Sequence, residues 1–252
     1  MASLCIQSCK KDCCNDPSNP DCKNYDPCYG KEPANASFKF YRDLSNDFGK
    51  YHFQTDTIEV FNDGSYIDVI FKVDDKNVDS CWWSIGADPR EFTQKEFHLT
   101  FQKDDAPILA KLIVNKSSAK TCYPNKPDRD TFYRELIFMP LGSSSIFGMY
   151  SGYFDGNAKD TGIISVSLKR LTGDYIPILR NSQESPGIDS SNFHLVILGW
   201  NSAFGIRANQ GLPSMDGFAK IDGKNIEIKY KYRTKGDPNG VYRKRTFNGI
   251  KQ

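Results

Sequence analysis

The residues able to do covalent chemistry are eight cysteines, at positions 5, 9, 13, 14, 22, 28, 81 and 122. Four of them, Cys13, Cys14, Cys22 and Cys28, crowd into a segment made otherwise mostly of Asn, Asp, Pro and Lys. A stretch this polar has no core of its own, so cross-links would have to order it. It contains no C-x-x-C pair and no nearby His, which argues against a zinc knuckle. Cys13, Cys14, Cys22, Cys28, Cys81 and Cys122 are therefore expected to form disulfides, with a connectivity that spacing leaves open. The expected arrangement joins Cys81 to Cys122, pinning a Trp-bearing strand to a later loop. Cys13 and Cys14 then pair with Cys22 and Cys28.

Asp16, Asp21 and Asp26 recur through the same segment, with Asn15, Asn19 and Asn24 between them. Hard oxygen ligands on a stapled loop suit calcium, the one cofactor the chain suggests. The same letters also read as Asp-Pro and Asn-Pro turns in a solvated linker. His52, His98 and His194 fall on separate predicted strands, and a shared metal would need them to converge. Asp74 with Asp75, and Asp104 with Asp105, read as solvated turns rather than catalytic carboxylate pairs. No H-E-x-x-H, G-x-S-x-G, phosphate-cradling loop or dinucleotide fingerprint occurs, so catalysis is not expected. Trp200, in Gly199-Trp200-Asn201-Ser202, and Tyr150 are the expected platforms if a sugar ring is bound; Trp200 could equally plug the end of a barrel. Between Lys220 and Lys251 cations alternate with Tyr230, Tyr232, Tyr242 and Phe247. Rings and cations can bind single-stranded nucleic acid. On alternating strands they mean charge outside and rings inside, so no nucleic acid is expected.

Strands must position these groups. The 252 residues are 38% hydrophobic and 13% aromatic, a mixture suited to sheets that bury large rings. The net charge of +2 says little about partners. No apolar run reaches the ~18 residues of a membrane-spanning helix. Short alternating runs are predicted as strands near Ser37–Phe40, Thr57–Phe61, Tyr66–Val73, Cys81–Ile85, Phe97–Gln102, Ile108–Val114 and Thr131–Met139. Polar turns separate them, which predicts an immunoglobulin-like sandwich over residues 35–140. In Cys81-Trp82-Trp83-Ser84-Ile85-Gly86, alternation sends Trp83 and Ile85 inward and Trp82 outward. Trp83 is thus the expected centre of the core.

A small-residue connector, Met139 to Ser145, leads to a second β domain over 146–252. Strands are expected at Phe147–Phe154, Ile164–Lys169, Phe193–Leu198, Ala203–Arg207, Gly217–Ile221, Ile226–Arg233 and Tyr242–Ile250. Ile226, Ile228, Tyr230 and Tyr232 should share one face, while Glu227, Lys229, Lys231 and Arg233 meet water. The first strand, with Gly148, Gly152 and Phe154, and the last, with Phe247 and Gly249, could pair and close a barrel. An open sandwich is the other arrangement the pattern allows.

Four stretches resemble known families. The Cys81–Gly86 stretch is similar to the Trp-Asp-Phe-Gly-Asp-Gly signature of PKD-type domains, immunoglobulin-like sandwiches common on bacterial surfaces. Ser84, Ile85 and Ala87 stand where that family has Asp, Phe and Asp. The closing domain resembles a lipocalin-type barrel. Ile6-Gln7-Ser8-Cys9 resembles the lipobox of bacterial lipoproteins, and Lys10-Lys11-Asp12 the charged tails that follow it in surface lipoproteins of the Bacteroidota. The Asp/Cys segment is loosely similar to thrombospondin type 3 calcium repeats. The lipoprotein resemblance implies that residues 1–9 are a truncated signal-like segment and that Cys9 carries lipid. Residues 10–34 would be the tether, holding the protein at the outer membrane or cell surface. The function so implied is non-catalytic, a binding or scaffolding subunit of an outer-membrane protein assembly. A glycan-binding surface lectin and a small-ligand carrier using the barrel interior are the alternatives. The expected partner is accordingly an outer-membrane protein or a surface glycan.

Overall fold

Alternating apolar and polar residues favour extended backbone, because each strand can then bury one face and wet the other. The computed structural model describes residues 15–46, 49–60, 67–101, 107–171, 174–181, 193–207, 215–233 and 242–252, and they form an all-β protein. The first eight strands are β1 (Phe38–Asn46), β2 (Gly49–Gln54), β3 (Thr57–Val60), β4 (Ile67–Val73), β5 (Ser80–Ile85), β6 (Glu96–Phe101), β7 (Ile108–Asn115) and β8 (Arg129–Pro140). A short helix, α1 (Ser117–Cys122), separates β7 from β8. The strands make two four-stranded sheets, ordered β2-β1-β4-β6 and β3-β8-β7-β5. That is the order of an immunoglobulin-like sandwich, with β1, β4 and β6 as strands A, B and E and β5, β7 and β8 as C, F and G. β3 joins the second sheet by running parallel to β8.

The chain divides into two compact units. One comprises Met1–Phe38, Val73–Lys95 and Lys111–Tyr133. Its core is built on Trp83, which is 3% exposed, whereas its neighbour Trp82 is 36% exposed. Phe38 meets the Trp83 ring edge-on at 4.8 Å, and Phe132 closes on Phe38 at 5.5 Å. The indole N–H of Trp83 donates to the Gln94 carbonyl at 2.9 Å, so the ring is buried without stranding its polar atom. Asp79 accepts from the backbone N–H of Ser117 and so caps α1. The Lys116 ammonium is buried and lies 2.9 Å from Asp75.

The cysteine pairing departs from the expected one. Cys122 bonds to Cys28, and Cys81 is a free buried thiol. Strand parity is the reason. Cys81 shares the inward face of β5 with Trp83 and Ile85, where its thiol donates to the Thr93 carbonyl at 3.2 Å. Cys122 ends α1 in the β7–β8 connection, where Tyr123 also donates to the Lys31 carbonyl at 2.6 Å. Cys22 is disulfide-bonded too. Cys9, Cys13 and Cys14 lie outside the described residues.

The other unit comprises Lys39–Lys72, Glu96–Ala110 and Arg134–Gln252. It holds β9 (Gly148–Phe154), β10 (Asn157–Leu171), β11 (Asp174–Asn181), β12 (Phe193–Gly199), β13 (Ala203–Arg207), β14 (Met215–Asp222), β15 (Asn225–Arg233) and β16 (Tyr242–Lys251). These eight form a closed antiparallel barrel in up-and-down order, so of the two arrangements the pattern allowed the barrel is the one formed. β16 returns to β9, with Phe247 opposite Phe154 and Gly249 opposite Gly152. The tight β9–β10 turn places Asp155 and Gly156 at φ 53° and 75°, a pair of left-handed residues that matches strand twist. Inside, Tyr150, Phe154, Phe204, Tyr230 and Phe247 interleave with aliphatic side chains from β10 through β15. At one end Leu141, Ile146 and Trp200 close the core. At the other, the Arg245 guanidinium covers the Phe154 ring at 4.1 Å and bonds to Asp155 and Asp160.

Two strands escaped the pattern reading. β2 is an edge strand with little burial of its own, and its Tyr51 stacks on Phe218 of β14 at 4.1 Å. Leu44 of β1 joins that contact, packing with Leu198, Ala203 and Phe218 outside the barrel wall. β11 contains Pro177, which normally argues against a central strand. Its β12 ladder covers only Ile178 and Leu179, so the missing N–H falls outside that ladder.

Two outcomes follow for stability. Trp83→Ala should cost about 3–5 kcal/mol and Trp82→Ala under about 1 kcal/mol, read by urea unfolding with disulfides intact. Partial burial works against a charged Asp75, but hydrogen bonds from Lys116 and the Asn77 N–H outweigh it and hold the carboxyl below its ordinary value. A depressed carboxylate adds stability above its unfolded pKa of about 3.9 and loses it as pH falls through the folded value. Asp75→Asn should therefore flatten the acid limb of the stability profile, and lower stability at neutral pH by leaving a buried ammonium unpaired.

Candidate functional site

The residues expected to do chemistry are mostly absorbed by the fold. Asp16 accepts from the N–H and hydroxyl of Ser18 at 2.9 and 2.7 Å, and Asp26 from the N–H of Cys28 at 2.8 Å. Both carboxylates thus stabilise tight turns. Among the described residues no group of three or more His, Cys, Asp or Glu side chains converges, so Asp16, Asp21 and Asp26 are not brought together as a calcium site. His52 on β2 and His98 on β6 occupy opposite edges of their sheet, and the side chain of His194 lies outside the described residues. Asp104 and Asp105 also lie outside them, and Asp75 is the partner of Lys116.

The two proposed sugar platforms need correction. Tyr150 is fully buried, and its hydroxyl donates to the Ile146 carbonyl at 2.8 Å. Burial pushes its phenol up to about 12. The ring sits on the inward parity of β9, with Phe154, while Met149 and Tyr153 take the outward positions. Trp200 packs against the barrel core, and its carbonyl accepts from the Ser144 hydroxyl at 3.1 Å. The plug reading of Trp200 is therefore the one realised. Lys231, expected in water, is covered as well: it lies 3.5 Å from Asp216 and 4.5 Å from the centre of the Tyr242 ring.

What remains accessible is a trench of about 640 Å³ on the outer wall of the barrel, within the size range of small-molecule sites. Its register is set by three ladders. One rung of outward residues runs Tyr153, Asn248, Glu227, Lys220 across β9, β16, β15 and β14. A second, two residues away along each strand, runs Ser151, Ile250, Asn225, Asp222. Two residues of strand span about 6.7 Å, and three interstrand steps about 14 Å. Phe53 of β2 and Ser202 of the β12–β13 turn complete the walls. Tyr153 and Ile250 are exposed, and Glu227 is paired with Lys229 at 3.1 Å. The side chains of Asp222, Asn225 and Asn248 make no hydrogen bond or ion pair with other described residues.

A second concavity, of about 410 Å³, lies on the outer face of β5, β7 and β8 beside exposed Trp82. Its cations already have rings: Arg129 lies 5.9 Å from the Trp82 ring, and Lys111 lies 5.7 Å from the ring of Tyr133 outside the concavity. Arg90 hydrogen-bonds to Asp88 and lowers that carboxyl to about 2. Here the polar groups are largely committed to each other.

Compared with known proteins, the chain matches no family model, no curated protein and no solved structure. The reading of the trench accordingly rests on its own chemistry. The trench residues come from four strands and two further segments, and no local motif unites them. Outward parity on neighbouring strands was the only available signal.

Tyr150→Phe should cost about 1–3 kcal/mol by leaving the Ile146 carbonyl unpaired in the plug. Because the buried phenol resists ionisation, the unfolded chain ionises first as pH rises above about 10. Its contribution to stability is thus complete below that value and lost toward pH 12, a loss absent from the Tyr150→Phe alkaline unfolding profile.

Proposed function

We propose that this protein is a non-catalytic binding or scaffolding module working outside the cytoplasm, held at the outer membrane or cell surface by lipid on Cys9. The observation that carries the export reading is the Cys28–Cys122 disulfide, which spans 94 residues of sequence. Such bonds persist in oxidising compartments. By chain entropy, a loop of that length stabilises the fold by about 4–5 kcal/mol. The bond also fastens the tether to the β7–β8 connection, as an anchored display protein requires. Support for binding over carriage comes from the barrel interior, where the described side chains pack against one another. Contacts to an outer-membrane partner or a glycan would then be made from outer faces.

The test is thiol mapping and intact mass on native material. Under denaturing, non-reducing conditions a thiol reagent should label Cys81 and spare Cys22, Cys28 and Cys122, and Cys9 should carry an acyl chain. Labelling at Cys28 and Cys122 would remove the export reading. An unacylated Cys9 would remove the anchor alone.

A further inference from the structure

We propose that the trench across β14, β15, β16 and β9 binds an uncharged saccharide. This rests on reading the protein as a binding module and names the ligand class and the site. A pyranose has an apolar C–H face and a rim of hydroxyls, each both donor and acceptor. The trench offers the complement of both. Tyr153, Phe53 and Ile250 supply apolar wall, and a ring face can stack on sugar C–H groups. Asn248 and Asn225 each carry an amide donor and acceptor, Asp222 accepts, and Lys220 donates. Asp222, Asn225 and Asn248 have no competing side-chain partner among the described residues, so their hydrogen-bonding capacity faces outward.

Charge argues for a neutral ligand. Lys220 offsets Asp222, and Glu227 is already balanced by Lys229, so the trench holds no excess field to attract or repel an ion. Dimensions agree: rungs about 6.7 Å apart match the width of one sugar ring, and a length of about 14 Å takes two or three. The walls are side chains on paired strands of a closed barrel, which holds them in place before a ligand arrives.

The experiment screens the full chain, disulfides intact, on an array of neutral oligosaccharides of glucose, galactose, mannose and N-acetylhexosamines, with uronic-acid and sulfated oligosaccharides beside them. The strongest neutral binder is then titrated calorimetrically. Tyr153→Ala and Asn248→Ala should each weaken binding about tenfold or more with an unchanged circular dichroism spectrum, and Trp82→Ala should leave it unaltered. Ile250→Trp, at an exposed position, should block the trench and abolish binding. The proposal is overturned if no neutral sugar binds, if acidic sugars bind in preference, or if the trench variants bind as the parent does. Any of these would leave the disulfide and acylation results, and so the export reading, standing.

Discussion

The structure depends on one backbone contact, the antiparallel ladder between β9 and β16 that closes the barrel. Without it the eight-stranded sheet would end in two long unpaired edges, the usual route to association with other chains. Closure brings two strands together at Gly152 and Gly249. A Cβ on Gly152 would lie 2.0 Å from the Asn248 carbonyl oxygen, and one on Gly249 would run into the Phe247 ring. Glycine is required there because the space a side chain needs is already occupied. Once closed, the barrel has an inside that only large side chains fill, and an outside whose rungs align across four strands.

Closure therefore gives the barrel two unlike faces. Tyr150, Phe154, Tyr230 and Phe247 occupy the interior where a carrier would hold its ligand. The same register places Tyr153, Asn248, Glu227 and Lys220 side by side on the outer wall. The β1–β2 hairpin adds to that wall, since Tyr51 and Phe53 lean on Phe218 and carry β2 to the barrel exterior. A stiff wall whose Asn225, Asn248 and Asp222 side chains have no partner among the described residues is a different kind of site from a flexible loop with an exposed Trp.

The cysteines show how parity and chain position compete. Alternation alone put Cys81 on the buried side of its strand, beside Trp83, and a thiol so placed is surrounded by core. Cys122 lies instead at the end of a helix in a loop, within reach of the turn-rich segment that carries Cys28. That segment is a chain of tight turns, with Cys22 N–H donating to Asn19 O at 3.0 Å and Tyr29 N–H to Asp26 O at 3.0 Å. The Asp16 and Asp26 carboxylates support those turns and the disulfide supplies the attachment, so these two acids carry a structural meaning before any ionic one.

From the sequence by itself came the all-β class, nearly every strand, and the inward placement of Trp83, because period-two alternation is a local property of the letters. The pairing of first and last strands was one of two arrangements the letters allowed, suggested by glycines set among large rings. Only the tertiary structure decided which cysteines meet, that Tyr150 and Trp200 belong to the core, and that β2 and β11 are strands at all. Each of these turns on partners distant in sequence: β2 is held by Phe218, Pro177 is tolerated because the β12 ladder is short, and the trench exists only where four strands align. A single strand specifies which of its side chains share a face. Which faces become neighbours is settled only when the sheet closes.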